Sequence, residues 1–217
     1  MRRAARAAGR ASWLALAGGA LALLAVQCGA PSSGRPEGEP VVAGNDAAAA
    51  AAWQVIYGVL QHPRCLNCHP AGDAPLQGDS SLPHAQNVQR GPAGQGRYGM
   101  RCDACHQESN ADGPNLPPGA PGWHLPRPGQ PLVFQGRNRR ELCLQLRDPA
   151  RNGGKSPEQV FEHMAADPLV LWGWSPGPGR TPVPTPHDEL VRALRTWVDG
   201  GCGCPPEAAA PAATAPQ

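Results

Sequence analysis

Two strings, Cys65-Leu66-Asn67-Cys68-His69 and Cys102-Asp103-Ala104-Cys105-His106, repeat one pattern: two thiols three positions apart, with a histidine directly after the second. Thiols spaced by one helical turn can add across the two vinyl groups of a haem. The next residue then lies under the iron and offers an imidazole as proximal ligand. Other uses of paired cysteines explain less. A redox CxxC of thioredoxin type needs a βαβ setting, which this sequence lacks. A shared structural zinc, held by four cysteines or by two cysteines and two histidines, could draw on both pairs, but zinc does not require histidine after each second cysteine. Two disulfides leave the histidines equally unexplained. The pattern therefore predicts two covalent haem c groups, attached through Cys65, Cys68, Cys102 and Cys105, with His69 and His106 on the irons.

Composition bears on how such a chain could fold. Gly and Pro number 27 each among 217 residues, near the level of low-complexity segments. Phe and Tyr number two each against six Trp, so there is little large aliphatic surface to bury. Two apolar haem plates are then expected to be the principal framework. The expected fold class is mainly α with extensive loops, dihaem cytochrome c-like, with a few short helices packed around two haems.

Local signals place those helices. Asp46 to Ala52 has high helix propensity with Asp46 as N-cap, and Trp53, Ile56, Tyr57 and Leu60 continue it at helical spacing. Residues 70–100 and 107–135 read as loops rich in Gly, Pro, Asn and Asp. Asn138 to Arg147 sets Leu142, Cys143 and Leu146 on one side. Ser156-Pro157-Glu158 starts a helix that runs to about Ala166. A last helix starts near Pro186, carries Leu190, Val191, Leu194, Trp197 and Val198, and ends at Gly200-Gly201. The haem domain is taken as residues 46–205, followed by an Ala/Pro-rich tail, 206–217, expected to be disordered.

The N-terminus reads as an export signal. Residues 1–10 are Arg-rich and 11–26 are small and apolar, too short and Gly-interrupted for a membrane span. Residues 1–27 are therefore a signal peptide and 28–45 a flexible linker. Ala25-Val26-Gln27-Cys28 resembles a lipoprotein processing site, with Cys28 as the lipidated residue, although Gln27 departs from the small residue usual there. A lipid at Cys28 would hold a periplasmic protein at a membrane face. Removing the four arginines of the signal turns a formal net charge of +2 into −2, and no basic stripe points to nucleic acid.

Each iron has a sixth position whose occupant largely sets its potential. The candidates outside the motifs are His62, His84, His124, His163, His187, Met100 and Met164. His62 is too near the first motif to cross its haem and reads as a helix-end histidine. Met100 is too near Cys102 for the second haem but could serve the first. His163 and Met164 sit on a predicted helix and read as packing or surface residues, and His187 as a surface residue of a first turn. His84, in a loop between the motifs, and His124, beside Trp123 between prolines, are the chosen metal ligands. Which haem each serves stays open, crossed pairing included. Of the other cysteines, Cys143 is expected to pair with Cys202 or Cys204 in an oxidising compartment; a Cys202–Cys204 bridge would be strained.

The strings CLNCHP, NVQRGPAGQG, GMRCDACHQ, PGAPGWHLP, ELCLQLRDPARNGG, PLVLWGW and PGPGRTPVP, spread over residues 53–205, resemble a group of bacterial exported dihaem proteins commonly labelled isoquinoline 1-oxidoreductase subunits. The resemblance implies an electron acceptor for a molybdenum hydroxylase-type dehydrogenase rather than the hydroxylase itself. It also implies recurring histidines at His84 and His124. Cys202-Gly203-Cys204 departs from the family pattern, in which one cysteine precedes proline. The expected function is electron transfer by a non-enzymatic periplasmic cytochrome that docks transiently with a redox partner. A dihaem peroxidase, which needs an open sixth site and acid/base groups above it, and a haem-based sensor are the alternatives.

Overall fold

The computed structural model describes residues 43–130 and 132–206. The signal peptide, the Cys28 lipidation site, nearly all of the linker and all but the first residue of the tail lie outside the described residues. Six helices appear there: α1 (Ala43–Leu60), α2 (Pro63–Leu66), α3 (Arg139–Arg147), α4 (Pro157–Ala166), α5 (Pro168–Leu171) and α6 (His187–Asp199). Two antiparallel hairpins, β1 (Leu76–Gln77) with β2 (Leu82–Pro83) and β3 (Gly96–Arg97) with β4 (Met100–Arg101), and two 3-10 turns, Cys102–Ala104 and Trp172–Trp174, complete the regular structure there. The architecture is mainly helical, with few short helices and extensive loops.

Caps decide where the helices begin. Asn138 Oδ1 accepts from the Glu141 amide at 2.9 Å, and Glu141 Oε2 accepts from the Asn138 amide at 3.0 Å. Ser156 and Gln159 make the same reciprocal pair at 3.2 and 3.0 Å, with Pro157 in the first turn. Each pair satisfies two donors that a helix start otherwise leaves free. α1 differs from expectation: it begins at Ala43, so Asp46 lies inside its first turn instead of capping it. The predicted loops also hold the two hairpins, whose two-residue strands are too short to display an alternating pattern. α5 has no counterpart among the expected helices; Asp167 caps it by accepting from the Leu169 amide at 2.9 Å, with Pro168 in its first turn.

The helices bury a core of their own. α1 lies along α6, and α3 and α4 close around them. Trp53 of α1 and Trp197 of α6 set their ring centres 5.3 Å apart. Ile56, Val59, Leu142, Leu146, Leu190 and Leu194 are buried around them. This corrects the expectation that the chain has little apolar surface of its own to bury. The apolar residues are few, but they are concentrated at helical spacing on facing elements, where each buried large side chain contributes about 1.5–3 kcal/mol. Cys143 pairs with Cys204, with Cα atoms 5.7 Å apart, and ties α3 to the segment after α6. Cys202 is a buried free thiol. No described helix is long and apolar enough to cross a membrane.

Candidate functional site

The first motif is carried by one helical turn set against the core. Pro63 occupies the first turn of α2, and His62 caps it, its Nδ1 accepting from the Arg64 amide at 3.3 Å. This is the helix-end role expected of His62. The turn continues through the Cys68 amide bonded to the Cys65 carbonyl at 3.2 Å and the His69 amide bonded to Leu66 at 3.0 Å. Cys65, Cys68 and His69 thereby line a single apolar cavity. His69 Nδ1 donates to the Leu132 carbonyl at 2.7 Å, and its ring stacks on Phe134 at 3.8 Å. Burial pushes the imidazole down to about 4 and the Cys65 and Cys68 thiols up to about 12 and about 11. His69 is therefore neutral near pH 7, with Nδ1 committed and Nε2 left to bind.

The second motif follows the β3–β4 hairpin as a 3-10 turn, Cys102–Ala104. The His106 amide bonds to the Cys102 carbonyl at 2.9 Å. His106 Nδ1 donates to the Pro118 carbonyl at 2.7 Å, and its ring stacks on Trp123 at 4.5 Å with planes 2° apart. Trp123 thus packs flat on the His106 imidazole. The chain closes tightly beneath: a Cβ on Gly119 would run into the Gln107 and Ser109 carbonyls, so only glycine lets this loop bring Pro118 to the ring. Cys102 is buried and Cys105 exposed. Burial lowers the His106 pKa as it does that of His69.

The other candidate ligands divide between the two places. His84 stands with the second motif, its ring centre 6.3 Å from that of His106. Its Nδ1 is buried with no hydrogen-bond partner among the described residues. At that distance His84 and His106 are near enough that both would be available to a haem attached at Cys102 and Cys105. His124 lines the cavity of the first motif, the one farther from it in sequence, with Nδ1 bonded to the Gly122 carbonyl at 2.5 Å.

His163 and Met164, read from sequence as packing or surface residues, line the same cavity. His163 Nδ1 lies 3.0 Å from Asp167, which leaves Nε2 uncommitted. A signal for Met164 exists in the sequence: with Val160 it forms an i, i+4 pair on the buried side of α4. Met100 is exposed on β4 and does not line the first cavity, which removes the ground for placing it on the first haem. His187 donates through Nε2 to the Met164 carbonyl at 3.1 Å and is half-buried, not a free surface residue.

The two places adjoin. Trp172 lines the first cavity and meets Trp123 edge to face at 5.0 Å, while Trp123 lies on His106. Among the described residues no three His, Cys, Asp or Glu side chains gather closely enough to hold a metal ion by themselves. The shared cluster that a zinc would need is therefore not formed. Each place instead offers two thiols and an imidazole whose Nδ1 is committed to a backbone carbonyl. Compared with protein-family models, curated proteins and solved structures, the chain gives no match.

Proposed function

We propose that this chain is a dihaem c-type cytochrome that transfers electrons. The observation that carries the reading is the matched setting of His69 and His106. Each directly follows a Cys-x-x-Cys pair, each is tied by Nδ1 to a backbone carbonyl at 2.7 Å, and each is stacked on an aromatic ring. A carbonyl on Nδ1 fixes the tautomer, orients the ring and makes Nε2 a better metal donor. Two such constructions on unrelated local backbones are hard to explain as packing.

A haem held here supplies a one-electron iron couple tuned by its axial ligands. The residues divide the remaining work. Cys65, Cys68, Cys102 and Cys105 anchor by thioether bonds. His84 would hold the second haem with His106, and His124, His163 or Met164, which line the cavity of His69, would be available to the first. Apolar walls from α1, α4 and the Trp172 turn keep water from the first site. Contact through Trp172 and Trp123 supports passage of electrons between the sites. The resemblance to isoquinoline 1-oxidoreductase subunits supports a molybdenum hydroxylase-type dehydrogenase as the donor, with Cys28 lipidation keeping the pair at a periplasmic membrane face.

The test is a pyridine haemochrome assay with EPR on the protein purified from an exporting host. Two haems per chain and two low-spin signals are expected, and His84→Ala should turn only the second-site signal high-spin. A chain whose mass carries no haem sinks the reading. A high-spin haem in the unaltered protein would favour peroxidase chemistry instead.

A further inference from the structure

Arg64 immediately precedes Cys65, lines the first cavity and is one of the most deeply enclosed charges in the molecule, its side chain 1% exposed. Its Nε is buried and has no hydrogen-bond partner among the described residues. An enclosed guanidinium needs both a counter-charge and acceptors for its donors. Only one Nη has a carboxylate, Asp79. That carboxylate is 45% exposed and also accepts from the Thr181 hydroxyl at 2.6 Å and the Thr181 amide at 3.1 Å. Asp79 is thus shared and partly screened by water, which leaves the charge of Arg64 incompletely offset. The guanidinium carbon lies over the Trp172 ring, 5.7 Å from its centre, and that ring also lines the cavity. The result is a fixed cation with an idle donor at the wall of an apolar cavity.

We infer that Arg64 is the anion-binding residue of the first site and takes a carboxylate carried by the ring attached at Cys65 and Cys68, a haem propionate on the reading above. The idle Nε is the donor for that carboxylate, while Nη2 on the same edge stays with Asp79. Such a contact orients the ring in the cavity. It would also offset the negative charge of that carboxylate, which favours the reduced state and raises the potential. Arg64 is in this sense a positioning and potential-setting residue.

The experiment measures both midpoint potentials of the full-length dihaem protein by spectroelectrochemistry, for the unaltered chain and for Arg64→Gln, Arg64→Lys and Asp79→Asn. Arg64→Gln is expected to lower one of the two midpoints by about tenfold in the oxidised-to-reduced ratio, about 59 mV for one electron, and to leave the other unchanged. Arg64→Lys should retain most of the value, and Asp79→Asn should raise the same midpoint by freeing the cation for the site. Unchanged midpoints in Arg64→Gln, or equal shifts in Arg64→Gln and Arg64→Lys, would overturn the assignment. If Arg64→Gln does not accumulate, an unmoved midpoint in Asp79→Asn overturns it as well. A chain without haem refutes the underlying function instead, so the two failures are distinguishable.

Discussion

The two Cys-x-x-Cys-His segments end in the same histidine geometry but reach it by different means. The first is an α-turn pressed against the helical core, with Cys65, Cys68 and His69 all on one apolar cavity. The second is a 3-10 turn on a surface hairpin, where Asp103, Ala104 and Cys105 are exposed. Core packing holds the first. Loop hydrogen bonds, the Gly119 crossing and the Trp123 stack hold the second. A ligand's orientation depends on the carbonyl at its far nitrogen, and both a packed core and a well-bonded loop can deliver that carbonyl. The enclosed site is the one where charge is felt most strongly, because low local polarity strengthens every interaction.

That contrast is open to experiment. Trp197 is fully buried in the core behind the first motif, and its Nε1 donates to the Gly203 carbonyl at 3.2 Å. Trp197→Ala should cost about 3–5 kcal/mol in chemical denaturation. Tyr98, at the tip of the hairpin that precedes the second motif, is fully exposed, and Tyr98→Ala should stay within about 0.5 kcal/mol. Comparable losses in the two variants would show that the second region shares the core after all.

The disulfide gives the next effect. Cys143–Cys204 closes a loop of sequence separation 61 around the helical region. Cys143→Ser should lower stability by about 2–4 kcal/mol, read from the denaturation midpoint. On the proposed dihaem reading it should leave the spectrum of the second site untouched. Loss of second-site low-spin character in this variant would mean that the loops depend on the helices more closely than their bonding indicates.

The smallest effect is in thiol reactivity, measured on haem-free chain by iodoacetamide labelling and peptide mass analysis. The thiolate is the reactive species, and burial pushes the Cys65 thiol up to about 12. Near neutral pH, labelling of Cys65 should be slower than that of exposed Cys105 by more than about a hundredfold. The Cys65 rate should keep climbing about tenfold per pH unit until the solution approaches its pKa. Equal rates at the two cysteines would remove the distinction between an enclosed and an open site.

Helices α3, α4 and α6 were legible because their signals are local: the Leu142, Cys143, Leu146 spacing, Ser156 with Pro157, and the Leu190, Leu194, Trp197 spacing are complete within a few residues. The partners of the histidines were not legible. The carbonyl that holds His69 comes from Leu132, 63 residues on, and the one that holds His106 from Pro118. Nothing in either local sequence marks Leu132 or Pro118 for that role. The same holds for Met164, whose helical position suits packing and cavity lining equally, and for Met100, whose hairpin turns it outward.

The chemistry on offer was already written in the order of residues: two thiol pairs, each with an imidazole one residue later, because that pattern is covalently adjacent and needs no fold to exist. The boundaries of α3, α4 and α6 were written there too, since caps and helical spacing act over a few residues. Folding had to settle which distant histidine stands by which motif, that Cys204 rather than Cys202 meets Cys143, and that Arg64 is enclosed with an idle donor. Those are contacts between segments far apart in the chain, and loop paths through Gly- and Pro-rich stretches set them, not any local preference.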